Sequence, residues 1–245
     1  MGRVIMSGIV PLLTKPSTGI LASSLAVGSV VKLMEGGTAV DYLVVNQGIP
    51  ENSSLYDSSC NGTWLLRKDI HSNKEWYTTN VNKYESSSIN TWLNGDYFNS
   101  LGTVEQATIK QVKIPYRKNG GSGGTDQSGT NGLSTKIFLL SGYEVGWTTS
   151  DNQYFPHDGA KLDYFELGTG TSANNKRIAN LNGSTTSWWL RSPSTNKVDY
   201  VWLASTDGGY RTRYVANTLD GIRPALILPY TAKFDETTMI LKGVA

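Results

Sequence analysis

Apolar residues in this chain fall in short runs set apart by Gly, Asn, Asp and Ser, a spacing that predicts many short strands and little helix. Val30–Leu33 and Tyr42–Val45 flank Gly36-Gly37 and predict a hairpin with a glycine turn. Trp64–Arg67 and Val112–Ile114 read as further strands, and the unbroken apolar run Ile137–Leu140 reads as a fully buried one. Ile178–Leu181 and Trp188–Leu190 are expected to pair across Asn182-Gly183. Tyr200–Leu203 and Arg211–Val215 are expected to pair across Asp207-Gly208-Gly209. Ala225–Leu228 closes the core, and Phe234–Leu241 is a last edge strand. Helical spacing occurs from Ser86 to about Leu101, where Ile89, Trp92 and Leu93 share one face. Ser86 or Ser87 is suited to cap it, and Asn94-Gly95 interrupts it. Val104–Ile109 adds another helical turn.

Between these runs lie long irregular stretches. Asn119–Gly132 carries six glycines in fourteen residues and reads as a flexible loop, either a mobile lid or a tolerated insertion. Gly146–Lys176 is irregular and rich in aromatics. Ser194–Asp220 stands between two apolar segments, Ser187–Pro193 and Gly221–Leu226, and loops held on a rigid scaffold are where binding commonly sits.

The segments WWLRSP (Trp188–Pro193) and GIRPALIL (Gly221–Leu228) carry a family resemblance. Two more motifs agree with them: Ser87–Asn94 with Phe98, and Ile137–Ser141 with Glu144. Together they resemble the DUF6273 family of bacterial and phage proteins, from about Ser29 to Leu228. That resemblance implies an α+β, β-rich, C-type-lectin-like domain with one short amphipathic helix, many short strands and long loops. It implies the setting of phage tropism proteins and of diversified bacterial ligand binders. It carries no agreed activity. The expected organisation is an attachment arm at 1–28, the lectin-like domain at 29–230 and a C-terminal edge strand or tail at 231–245. The arm is read either as a docking piece for other virion proteins or as a terminus lying on its own domain.

Composition narrows the function classes. At 245 residues the chain suits one domain with an appendage, or at most two small domains. Only 17% of residues are charged, against about 25% in ordinary globular chains. A net charge of +2 without basic runs gives no footprint for nucleic acid. Cys60 is the only cysteine, so no disulfide forms within the chain. It reads as a buried, inert thiol, and a single cysteine argues against the chemistry of formylglycine-generating enzymes, which share the lectin-like fold. Met1–Val10 lacks the features of a signal peptide, and Gly19–Val31 is too short and too polar to span a bilayer. The expected life history is synthesis in a host cytoplasm, no membrane insertion, and residence in a virion tail or surface.

Catalytic constellations are thin. There is no G-x-S-x-G, no P-loop and no G-x-G-x-x-G. Asp158 with Asp163, or Asp199 with Asp207, are the carboxylate pairs open to glycosidase chemistry, and turn aspartates are the simpler reading. Glu144 is expected to pair with Arg191 or Arg223 in the core. No cofactor is expected. Calcium is the one ion considered, through Asp151, Asn152, Asp158 and Asp163, although their spacing matches no fixed calcium loop. Tyr200, Trp202, Tyr210, Arg211, Arg213, Tyr214 and Asn217 form the expected contact set, residue types that dominate binding surfaces. Alternation puts Tyr200 and Trp202 on one face and Val201 and Leu203 on the other. Trp188, Trp189, Arg191, Arg223 and Pro224 are expected to be scaffold.

The reading is a non-enzymatic adhesin at a phage tail or fibre tip, binding a bacterial surface glycan or protein and assembling as a homo-oligomer, with a trimer expected by analogy with fibre tips. A structural virion component is the alternative, and a glycan hydrolase a third.

Overall fold

The computed structural model describes residues 19–244, which are 34% strand and 18% helix around a curled, half-barrel sheet. Ten strands build two five-stranded sheets. They are β1 (Val30–Glu35), β2 (Thr38–Gln47), β3 (Thr63–Arg67), β4 (Ser72–Lys74), β5 (Ile137–Phe138), β6 (Trp188–Pro193), β7 (Tyr200–Ala204), β8 (Tyr210–Tyr214), β9 (Asp220–Ile222) and β10 (Ala225–Leu228). The first sheet has the order β5-β10-β3-β2-β1 and the second β8-β7-β6-β9-β4. Their inward side chains merge into one core that includes Trp64, Phe138, Trp188 and Trp189.

The β1–β2 hairpin turns where expected, on Gly36 and Gly37, both with left-handed φ values that an L side chain resists. The GIRPALIL segment serves both sheets. Its first residues form β9, Arg223-Pro224 makes the crossing, and Ala225–Leu228 becomes β10, hydrogen-bonded between β3 and β5. Arg223 fastens the crossing: its Nε donates to Arg67 O at 2.9 Å, and its guanidinium lies 5.0 Å from the Trp188 ring. The strand β6 is buried at every residue, antiparallel to β7 on one side and parallel to β9 on the other.

Trp188–Pro193 and Ile137–Glu144 meet in the core. Arg191 binds Glu144 through both guanidinium arms, at 2.6 and 2.7 Å, with both side chains fully buried. Its donors also reach Pro115 O, Leu139 O and Asp158 O. Glu144 further accepts from Ser141 N and Tyr56 Oη. Burial works against the Arg191 charge, and the facing Glu144 carboxylate more than offsets it, raising the guanidinium pKa. Ser192 Oγ donates to Asp158 Oδ2 at 2.8 Å. Burial pushes the Asp158 carboxyl up to about 7.

The helix starts at Ser88, with Ser87 Oγ accepting from Asn90 N. At the Asn94-Gly95 interruption it widens into a π-turn, Leu93–Tyr97, and resumes as Phe98–Ser100. Ile89, Leu93 and Tyr97 are buried, while Trp92 is half-buried. The π-turn aims Asn94 at the open edge of β5. Its Oδ1 accepts from Lys136 N and Ile137 N, and its Nδ2 donates to Ile137 O. An asparagine side chain thus takes the place of a neighbouring strand.

Several expectations need correction. Asn180–Leu181 pairs with Ser184–Thr185, not with Trp188–Leu190. The low-complexity loop is folded back: Thr125–Gln127 pairs with Tyr116–Lys118, and Gly121 N donates to Asn82 Oδ1. Its glycines allow close approach, since a Cβ on Gly121 would collide with Ser194 O and Lys197 O. The C-terminal stretch is a hairpin, Ala232–Phe234 with Leu241–Val244, and not one strand. Ile20–Leu21 adds to its edge, with Ala22 and Leu25 buried beside it. Most of the expected attachment arm, residues 1–18, lies outside the described residues.

Candidate functional site

The β7–β8 hairpin is the outer end of the second sheet. Its turn, Ser205–Gly209, closes where Asp207 Oδ1 accepts from Gly209 N and Ser205 Oγ, and Gly208 takes a left-handed φ of 75°. The two strands differ in environment. From Val201 to Ala204, β7 is buried, because it lies inside the sheet and is covered on both faces. At the sheet edge, β8 is half-buried at Tyr210 and Tyr214 and exposed at Arg211, Thr212 and Arg213.

Alternation therefore separates surface from core only on β8, and the expected contact set splits. Trp202 is 3% exposed and stacks on Phe155 at 4.1 Å. Tyr210 meets Trp202 at 5.6 Å and Trp147 at 5.7 Å, and its Oη donates to Asp151 O. Both are scaffold rather than displayed contacts. Their physical role is to hold segment 147–155 against the hairpin, helped by Trp202 Nε1 donating to Tyr154 O at 3.3 Å. Asn217 is exposed at a left-handed φ of 56° and lines neither hairpin groove.

Each side of the hairpin carries a groove. The first, about 350 Å³, lies between segment 152–154, the 194–197 turn and β7. Tyr154 and Tyr200 supply aromatic surface, with Trp202 as back wall; Asn152, Asn196 and Lys197 supply polar groups. Asn152 Oδ1 accepts from Tyr154 N, and Asn196 Oδ1 accepts from Ser194 Oγ. These bonds leave both side-chain amide donors turned to other uses. Among the described residues, Lys197 Nζ and the Tyr154 and Tyr200 hydroxyls have no hydrogen-bond partner. Tyr200 is steadied by Tyr214, edge to face at 5.7 Å.

The second groove, about 410 Å³, holds Arg211 and Arg213 beside Ser187, Ser205 and Asp207. Arg213 Nε lies 3.4 Å from Asp220, whose buried carboxyl is raised above the usual range by desolvation, with Arg213 partly offsetting it. Arg211 pairs with Asp207 at 3.6 Å where both are exposed. The arginines and the aromatic pair Tyr154/Tyr200 thus face different grooves.

The carboxylates considered for hydrolysis or for calcium sit in unlike settings. Asp158 is buried and Asp163 is exposed. Asp199 and Asp207 stand at opposite ends of β7, about 17 Å of strand, beyond the roughly 5–10 Å of glycosidase pairs. Among the calcium candidates, Asp151 Oδ2 accepts from Thr148 N and Asp158 is tied to Ser192. No group of three or more His, Cys, Asp or Glu is placed to hold a metal among the described residues. Burial pushes the Cys60 thiol up to about 12, and its Sγ donates to Lys113 O. No described helix is long and apolar enough to cross a membrane.

Sequence reasoning missed Asn152, Asn196 and Lys197 as contact candidates. They come from segments that meet only through long-range packing; the one local signal was their place in irregular, amide-rich stretches that precede the hairpin. The family model for a domain of unknown function, DUF6273, matches residues 61–230. That span takes in β3 to β10 and leaves out the β1–β2 hairpin, which the sequence resemblance had included from about Ser29. No curated protein and no solved structure matches the chain.

Proposed function

We propose that this chain, which belongs to the DUF6273 family, is a binding module that recognises saccharide on a bacterial envelope through its β7–β8 hairpin. The observation that carries the reading is the Tyr154/Tyr200 groove. Two tyrosine rings stand beside the Lys197 ammonium and two asparagines whose side-chain oxygens, but not their amide donors, serve the fold. A pyranose presents an apolar C–H face to an aromatic ring and hydroxyls at its rim, which such groups bind. Tyr and Asn suit that task because they offer large or adaptable contact at low conformational cost. A C-type-lectin-like scaffold at a virion tail or fibre tip is the setting we propose for it.

The test is retention of the purified chain on a panel of intact bacterial envelopes, followed by competition with released envelope glycans. The reading expects retention by some envelopes, lost with glycan and weakened in Tyr200→Ala. Retention by none, or retention that glycan never competes, contradicts it.

A further inference from the structure

A third groove, of about 450 Å³, shares no lining residue with the two hairpin grooves: it is built from Glu51–Leu55, Tyr143 with Thr148, His157–Lys161, and Leu167. Its floor is Gly159-Ala160, seated on the buried arginine network. Ala160 N donates to Tyr56 Oη at 3.0 Å, and Tyr56 Oη donates to Glu144 at 2.9 Å. A Cβ on Gly159 would lie 2.5 Å from Ser141 Oγ, so only glycine lets the floor sit this low. Such a base is rigid, as a preformed site requires.

The walls carry unused chemistry. Tyr143 and His157 meet edge to face at 4.9 Å and form an aromatic side. Leu55 and Leu167 give an apolar rim, with Leu167 62% exposed. The side chains of Glu51, His157 and Lys161 have no hydrogen-bond or ion-pair partner among the described residues. Glu51 is also held at φ 50° and ψ 22°, a left-handed conformation that disfavours a side chain. Strain at a residue whose side chain does nothing for the fold points to another use for that side chain.

We infer that this groove binds an N-acetylhexosamine. The C–H face of the sugar lies on Tyr143 and His157, the acetyl methyl meets Leu55 and Leu167, and Glu51 and Lys161 take the ring hydroxyls and the amide. The inference rests on this groove's own geometry, and it stands even where the hairpin binds no sugar.

The experiment is saturation-transfer NMR on the full chain with N-acetylglucosamine, and with D-glucose as the analogue lacking the acetamide. Transfer strongest at the acetyl methyl is expected, and a weaker signal for glucose. Glu51→Gly relieves the backbone while removing the carboxylate, so it should leave the melting temperature unchanged or raised and weaken binding by at least about tenfold. Lys161→Met should weaken binding without unfolding, and Tyr154→Ala in the hairpin groove should leave this signal intact. Absence of transfer, an equal signal for glucose, indifference to both Glu51→Gly and Lys161→Met, or loss in Tyr154→Ala would each overturn the assignment.

Discussion

The strands β6 and β8 lie in one sheet with a single strand between them, and they use arginine in opposite ways. In β6, Arg191 is fully buried and bonds to a carboxylate and three backbone carbonyls. In β8, Arg211 and Arg213 keep more than half of their side-chain surface in water and hold their aspartates at 3.4 Å or more. A buried pair fixes structure because losing either partner strands a charge in a medium that solvates it poorly. An exposed pair contributes little to stability and can exchange its partner for a ligand. The comparison separates Trp188–Pro193, whose residues are committed to packing, from the edge strand β8, whose arginines stay in water.

The sharpest way to break this comparison is to remove Glu144. Glu144→Ala should cost about 3–5 kcal/mol in denaturant unfolding, and Glu144→Leu combined with Arg191→Met should cost less than either single change. A double variant as unstable as the sum of the singles would contradict the account of the buried pair. Tyr210→Ala should also destabilise, by about 2–3 kcal/mol, because its ring packs on Trp147, Phe155 and Trp202. An unchanged melting curve would return Tyr210 to the contact surface.

Asp158 sharpens the same contrast through pH. Its folded-state carboxyl titrates near 7, raised chiefly by burial, whereas an unfolded aspartate titrates at about 4. Below pH ~4 both states hold the proton and there is no cost; as pH rises towards 7 the folded state retains a proton that the unfolded state has lost, so stability falls. Measured against Asp158→Asn, wild-type stability should therefore decline from about pH 4 to 7 and level off above that. A flat difference would place the carboxylate in a better-solvated site. The smallest effect belongs to the pair exposed on both sides, where Arg211→Ala should change stability by less than about 0.5 kcal/mol; Arg213→Ala should cost more, because it leaves the buried Asp220 carboxyl without its partner.

The elements that the sequence made legible are those with local causes. Gly36-Gly37 and the Asp207–Gly209 turn announce their hairpins, and the apolar runs at 137–140, 188–190 and 225–228 announce buried segments. Glu144, placed just after an apolar run, was expected to pair with Arg191 or Arg223, and its partner is Arg191. The rest is non-local. That β6 runs parallel to β9, and that Gly120-Gly121 tucks under Asn82, depend on contacts between distant segments. Of the expected contact set, the β8 arginines are exposed and Tyr200 is half-buried, whereas the burial of Trp202 is imposed by Phe155, which arrives from elsewhere in the chain.

Tyr154→Ala tests the central claim most directly, because Tyr154 is 37% exposed and its only bond to the hairpin runs through its backbone oxygen. Melting temperature and retention on the preferred envelope glycan are measured side by side. The account predicts an essentially unchanged melting curve with binding weaker by about tenfold or more. Undiminished binding, or a loss of binding that merely follows a loss of fold, would contradict it.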